Sequence, residues 1–342
     1  MTLEPQSPAG ITAGPTRSGF LLRSLARIVL ALAAVLTALA LWIVQPLLWH
    51  DATANQPAVD PAQLHRDVQT LVERFPQRCD AKPEVLAQAA DWIATELRQA
   101  GGRVTLQPYP VEGATFVNVR ARFGPPSGEV VVVGAHYDTC MGLPGADDNA
   151  SGVAGLLAVA RLLGQHPPQA AVELVAYTLE EPPHFRKPTM GSAVHVRALQ
   201  QEGVAVRAMI SLEMLGTFDD APDSQSYPAP ALGVVYPTRG DFIVVVGDFA
   251  SPLLVRKIKG AMQPVSPLPV WSINAPALLP GVDFSDHRNY WAAGIPAVMV
   301  TDTSFFRNKR YHTVRDTPDR LDYPRMAQVV QGVHAAVRQL AD

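Results

Sequence analysis

Between Ile28 and Trp49 the chain reads IVLALAAVLTALALWIVQPLLW, a run without a charged residue. Its length suits a helix crossing a hydrocarbon core of roughly 30 Å. Arg17, Arg23 and Arg27 precede the run and Asp51 follows it, so the positive-inside rule leaves the N-terminus in the cytoplasm and exports the rest to the periplasm or cell exterior. The competing reading is a secretory signal, cleaved near Ala38 and Ala40, that would leave a secreted protein. The apolar run continues past these residues through Trp42, Ile43, Val44, Leu47 and Leu48, longer than a usual signal core, which favours an uncleaved anchor in the lipid bilayer. The organisation predicted is a short cytoplasmic segment 1–27, a transmembrane anchor 28–49, a tether 50–64 and a catalytic domain 65–342.

After the anchor the periodicity changes. Residues 51 to about 85 read as a tether and irregular segment, and an amphipathic helix follows around Val85 to Gln99, stopped by Gly101 and Gly102. Two strands are predicted in TLQPYP and TFVNVRARF. The next run, VVVVGA, is wholly apolar and β-branched, as in strands buried on both faces of a parallel sheet. Similar signatures recur in AVELVAYTL, RAMISLEML, DFIVVVGD and GIPAVMVT. Helical patterns alternate with them at Ser151 to Leu163, Ser192 to Glu202, Leu253 to Met262 and Tyr323 to Leu340. The pattern predicts one three-layer α/β domain, its central sheet mostly parallel but mixed, with helices on both faces.

Charge narrows the function. With 28 Lys and Arg against 31 Asp and Glu, a formal charge of −3, the chain has no electrostatic footprint for a polyanion, so nucleic acid is excluded as an expected partner. Proline, at 31 residues, clusters in PPHFRKP and PLPVWSINAPALLPG, which read as rigid loops able to shape a pocket. Cys79 and Cys140 are too few for a sulfur-ligated zinc module, so any metal must rest on His and carboxylate. In an exported domain the two cysteines are expected to form a bridge rather than remain buried thiols.

In open α/β sheets, ligands bind beyond the carboxyl ends of the strands. There VVVVGA runs into His136-Tyr137-Asp138, ELVAYTL into Glu180-Glu181, and MISL into Glu213. A single His after a strand is usually a surface residue and a Glu pair a solvated turn; three strands delivering imidazole and carboxylate to one sheet edge are harder to dismiss. GADDNASG places Asp147, Asp148 and Asn149 before an apolar helix. Helix capping explains one acid there but not two consecutive ones. His312 follows a later strand and loop, with Asp316 four residues on.

In this order, H-Y-D, G-A-D-D-N-A-S-G, E-E, S-L-E-M, S-D-H with G-I-P-A, and Y-H-T with D-T-P-D, the chain from about residue 65 to 340 resembles the zinc-dependent aminopeptidase family that includes bacterial leucyl aminopeptidases and glutamate carboxypeptidase. The resemblance implies two zinc ions per chain, with Asp147 bridging them, His136 and Glu213 completing one site, and Glu181 and His312 the other. It further implies Glu180 as general base, Asp138 as the acid that orients His136, and a cis peptide between Asp147 and Asp148. Many relatives carry Asp where this chain has Glu213, and PPHFRKPTMG after Glu181 is longer than in a compact relative. Residue preference is expected to reside in that stretch.

Such a site suits hydrolysis of peptide substrates, because paired metals supply a nucleophile and a partner for the oxyanion while one carboxylate moves the proton. The leading expectation is a membrane-anchored aminopeptidase. A carboxypeptidase, a dipeptidase, a glutaminyl-cyclase-like enzyme and a non-catalytic receptor ectodomain on the same scaffold are the alternatives. His287, Tyr290 and Trp291 are candidate pocket residues without a catalytic role, and His184 is the one other histidine placed near the site. Oligomeric state and exopeptidase direction are not encoded in any of these motifs.

Overall fold

The computed structural model describes residues 17–47 and 57–342. Residues 1–16 and 48–56, on which the start of the expected cytoplasmic segment, the end of the expected anchor and much of the expected tether fall, lie outside the described residues. The chain divides into two compact units between Trp42 and Ile43.

The first unit is a helix, α1 (Arg17–Val44). Its stretch Arg23–Val44 is long and apolar enough to cross a membrane, a property that signal sequences share. It stops five residues before the expected boundary because Pro46 disfavours helical backbone at Gln45, which adopts φ 46°.

The next helix, α2 (Pro61–Gln69), belongs to the second unit and starts inside the segment read as tether. Pro61 fits the first turn, Asp60 accepts a hydrogen bond from the Ala62 amide at 2.9 Å, and Leu64 and Val68 form a one-turn apolar contact. Two apolar positions in nine residues were too narrow a stripe to read as a helix. The order then runs α3 (Pro83–Gln99), β1 (Arg103–Val111), β2 (Ala114–Phe123), β3 (Val130–His136), α4 (Gly152–Gln165), β4 (Ala171–Tyr177), α5 (Gly191–Gln201), β5 (Val206–Glu213), β6 (Ile243–Gly247), α6 (Pro252–Met262), β7 (Val270–Asn274), α7 (His287–Ala292), β8 (Ala297–Thr301) and α8 (Tyr323–Ala341). Two of these were not anticipated: β7 lies within the proline-rich PLPVWSIN stretch read as loop, and α7 is only six residues long.

The eight strands form one mixed sheet in the order β1-β2-β4-β3-β5-β8-β6-β7. β4, β3, β5 and β8 run parallel, β1, β2 and β4 are antiparallel neighbours, and β6 pairs antiparallel with β8 and parallel with β7. Alternation along β3 builds the layers. Val131, Val133 and Ala135 join the core shared with α2, α3, α4, α6 and α8, whereas Val130 and Val132 pack against Val196 and Leu199 of α5 and Tyr290 of α7. The apolar runs of β3, β4 and β5 are thus buried on both faces and bring their carboxyl ends to one edge.

Beneath that edge, Glu173 of β4 is buried and accepts hydrogen bonds from Arg120 Nε at 2.6 Å and Arg122 Nη2 at 3.2 Å. Burial opposes its ionisation, but His195 and Arg120 hold its carboxyl well below the ordinary range. Burial keeps His195 itself below its usual pKa, so Arg120 carries the positive charge. A depressed folded pKa contributes stability above the ordinary glutamate value and loses it as the pH falls. Glu173→Gln is therefore expected to cost about 3–5 kcal/mol at neutral pH and to flatten the acid limb of the Tm-versus-pH curve. Parallel curves for wild type and variant would refute this.

Candidate functional site

His136 is the last residue of β3, Glu213 the last of β5, and Glu180 and Glu181 follow β4 within four residues. The loop before α4 and the loop before α8 add an aspartate and His312. His136 Nε2 lies 3.4 Å from Asp148 Oδ1 and 3.4 Å from Glu213 Oε2; His312 Nε2 lies 3.0 Å from Asp148 Oδ2 and 3.3 Å from Glu181 Oε2. Each oxygen of one carboxylate therefore faces a different imidazole, and that carboxylate belongs to Asp148.

This corrects the assignment of Asp147 as the shared residue. Asp147 is fully buried; its Oδ1 accepts from the Gly216 amide at 3.0 Å, and its Oδ2 from Thr217 Oγ1 and from Asn308 Nδ2 at 2.9 Å. Its acceptors are spent fastening three loops. The cis peptide likewise falls one residue later than expected, between Asp148 and Asn149. Asn149 donates to the Leu212 carbonyl at 2.8 Å and accepts from the Gly152 and Met214 amides, and a side chain at Gly152 would collide with the Asn149 amide and the Leu212 carbonyl. The turn is thus clamped to the end of β5 and leaves only Asp148 facing the crevice.

Other side chains hold these groups in place. The Asp138 carboxylate accepts from the amides of Glu180 at 3.1 Å and Glu181 at 3.0 Å, and it stands 3.4 Å from His136 Nδ1, which turns Nε2 toward the crevice. Asp316 accepts from the amides of Asp147 and Asp148. Arg78, fully buried, donates to the carbonyls of Leu71, Tyr137 and Gly145 and so ties the segment before α3 to both parts of the loop between β3 and α4. Sequence reasoning missed Arg78, since a lone arginine in an irregular segment carries no periodic signal. It also missed Ser285, which donates to Glu213 Oε2 at 2.7 Å and meets Ser211 Oγ at 2.9 Å. Ser285 holds the longer glutamate in place. Ser285→Ala is expected to weaken zinc binding about 10–100-fold while Ser285→Thr retains it, as read by zinc titration; equal affinity in all three proteins would remove this role.

By the protein's own charges the cluster is crowded with acid. Burial raises the pKa of Glu180 well above its ordinary value, aided by Glu181 and Glu213. Burial together with repulsion from Asp148 pushes Glu181 up to about 8, and burial also raises Glu213. Burial opposes protonation of both imidazoles, yet the carboxylates lift His136 well above its usual value and His312 to about 10. Asp148 stays below its ordinary range despite burial, through His136 and His312. Such a site is short of positive charge. Its buried His136 Nε2, His312 Nε2 and Glu181 Oε1 have no hydrogen-bond partner, and the donor groups His136/Asp148/Glu213 and His136/Glu180/Glu181 each lie within 4.8 Å of one another. Imidazole and carboxylate in this arrangement fit zinc.

The cluster closes one end of a cleft of about 260 Å³ whose remaining wall is mostly apolar, including Phe185, Tyr227, Phe242, Val246, Met299 and Phe306, with Gln225, Ser226, Thr301, Thr303 and Ser304 as its polar members. Among the described residues, no lysine or arginine lines it. Pro182 and Phe185 come from the proline-rich stretch after Glu181, which Arg186 pins to Asp283 at 2.7 Å. The other expected pocket residues fall elsewhere. Tyr290 bonds Tyr177 and His195 in the core, Trp291 donates to the Ala297 carbonyl, and His287 Nε2 meets the Val282 carbonyl. His184 Nδ1 meets Thr189 Oγ1 at 3.0 Å, and its amide donates to the Glu181 carbonyl at 2.9 Å. Cys79 and Cys140 are free buried thiols, so the expected bridge is absent.

Known proteins share this chain's sequence and fold. The chain is 47% identical over 294 residues to the uncharacterized protein YfbL of Escherichia coli K12, covering 83% of this chain and 90% of that one. The zinc aminopeptidase BSAP of Bacillus subtilis superposes with a TM-score of 0.65 at 16% identity, over 83% of this chain and 95% of that one. A glutaminyl cyclase of Bacteroides thetaiotaomicron superposes with a TM-score of 0.63 at 20% identity, over 83% and 99%. Residues 118–337 match peptidase family M28, and with more than half of its length matched, the chain belongs to that family.

Proposed function

We propose that the chain is a membrane-anchored zinc aminopeptidase that removes apolar residues from the N-termini of peptides, with α1 as an uncleaved anchor and the catalytic unit exported. The observation that carries this reading is the cleft, which joins four carboxyl groups at one end to a mostly apolar wall that, among the described residues, has no lysine or arginine. An apolar side chain of the substrate's first residue suits the wall, while the four carboxyl groups at the closed end are those that would hold the metal and move the proton. Apart from the catalytic metal, a terminal carboxylate would find no lysine or arginine to pair with among the described lining residues, which disfavours the carboxypeptidase alternative.

Asp148 would be shared by two zinc ions, with His136 and Glu213 on one and Glu181 and His312 on the other. Bound zinc supplies Lewis acidity to the scissile carbonyl and to the attacking water. Glu180 accepts the proton of that water and passes it to the departing amine nitrogen; burial, which raises the pKa of its carboxyl, suits it to hold the proton between these transfers. Asp138 fixes the backbone of Glu180 and Glu181 and the ring of His136, so one acid aligns three groups.

The test is a peptide with a free N-terminal leucine beside its N-acetylated and N-terminal aspartate counterparts. Stepwise release from the N-terminus of the leucine peptide, abolished by chelator and restored by zinc, is expected. Shortening from the C-terminus, or closure of an N-terminal glutamine to pyroglutamate as the main reaction, would overturn the reading.

A further inference from the structure

Cys140 lies four residues past the end of β3, in the loop that also carries Asp138. Its side chain is buried at 5% exposure. Its Sγ, a carboxylate oxygen of Glu181 and a ring nitrogen of His312 all lie within 4.8 Å of one another. Glu181, itself 5% exposed, keeps its Oε1 without a hydrogen-bond partner, and His312 Nε2 is likewise unpartnered. The thiol thus belongs to the same donor cluster as these two side chains.

Structural and catalytic zinc takes four ligands, with bonds of about 2.3 Å to sulfur and about 2.0–2.2 Å to nitrogen and oxygen. The donors around one tetrahedral ion therefore stand roughly 3.3–3.8 Å apart, inside the spread seen for Cys140, Glu181 and His312. Asp148 Oδ2 lies 3.0 Å from the same His312 nitrogen, so with Asp148 shared the Glu181–His312 centre would have three donors and the thiol is the candidate for a fourth. The His136–Glu213 centre has no cysteine in its donor group.

We infer that Cys140 is a further metal ligand, supplying a thiolate to the Glu181–His312 centre. The inference rests on the metal reading above and deepens it. On ligation the S–H bond is replaced by a sulfur–metal bond, the thiol proton passes to solvent, and no electron is transferred. The two centres then differ in kind: one is built of nitrogen and oxygen, while the other carries a soft donor that favours zinc and other thiophilic ions. This also gives a reason for an unbridged cysteine in a domain read as exported, where two free thiols would otherwise tend to pair.

Cobalt(II) replaces zinc in such sites and reports its ligands by absorption. The full chain in detergent, stripped and reloaded with cobalt, is expected to bind two ions and to show the intense near-ultraviolet band of thiolate-to-cobalt charge transfer. Cys140→Ser is expected to lose that band while retaining the weaker visible bands of nitrogen- and oxygen-ligated cobalt, and Cys79→Ala to keep it. Zinc affinity at one of the two centres should fall roughly 10–100-fold in Cys140→Ser, the scale on which altering a metal's surroundings acts. Two bound cobalt ions without the band, or a band that survives in Cys140→Ser, overturns the inference and leaves the metal reading standing. Wild-type protein that binds no cobalt overturns both.

Discussion

Asp148→Asn is expected to strip metal from both centres and to abolish peptidase activity, whereas Asp147→Asn is expected to keep two zinc ions and unfold at a lower temperature. The two residues are neighbours of identical chemistry, so the contrast isolates geometry. Asp148 offers one oxygen to each imidazole, at 3.4 Å from His136 and 3.0 Å from His312. An amide there loses the charge that two cations would share. If Lewis-acid stabilisation is worth about 4 kcal/mol, its loss lowers kcat/KM by about a thousandfold. Asp147 instead accepts from Gly216, Thr217 and Asn308. An amide nitrogen placed against those donors costs about 1–3 kcal/mol, which appears in Tm rather than in metal content. Zinc analysis by mass spectrometry and a thermal melt on both variants decide the matter. Metal lost from Asp147→Asn and kept in Asp148→Asn would restore the assignment made from sequence.

The second large effect belongs to Glu180→Gln. Glu180 borders the cleft, is 6% exposed, and has a pKa raised well above its ordinary value by burial. Its amide isostere preserves shape but cannot take a proton. A loss of about 10²–10⁴-fold in kcat is expected, with KM and zinc content unchanged, since Glu181 rather than Glu180 faces His312. Activity retained with full metal loading would refute the assigned proton carrier.

These two experiments mark where the sequence was legible and where it was not. Apolar runs such as VVVVGA and, Glu173 apart, AVELVAY can be buried on both faces only in the middle of a sheet, so their strands and the edge at which they end followed directly. The same logic placed His136, Glu181 and Glu213, because a strand's last residue and the turn after it inherit the strand's position. His312 came from motif order. The choice between Asp147 and Asp148 was not legible: the turn is set by Asn149, Gly152 and Asp316, contacts distant along the chain, and both residues read as the same acid in the same small-residue setting. Ser285 and Arg78 escaped for a related reason. Each acts through one hydrogen-bonding atom on a partner far away in sequence, Glu213 in one case and the Tyr137 carbonyl in the other, and neither forms a period. β7 was hidden by flanking prolines, and α2 by a stripe of only two apolar residues.

The most direct measurement is anomalous diffraction at the zinc edge from crystals of the zinc-loaded protein. Two peaks are expected, one on each side of the Asp148 carboxylate, the first beside His136 and Glu213 and the second beside Glu181 and His312. A single peak, or density centred on Asp147, would contradict the shared-carboxylate site from which the proposed peptidase activity follows.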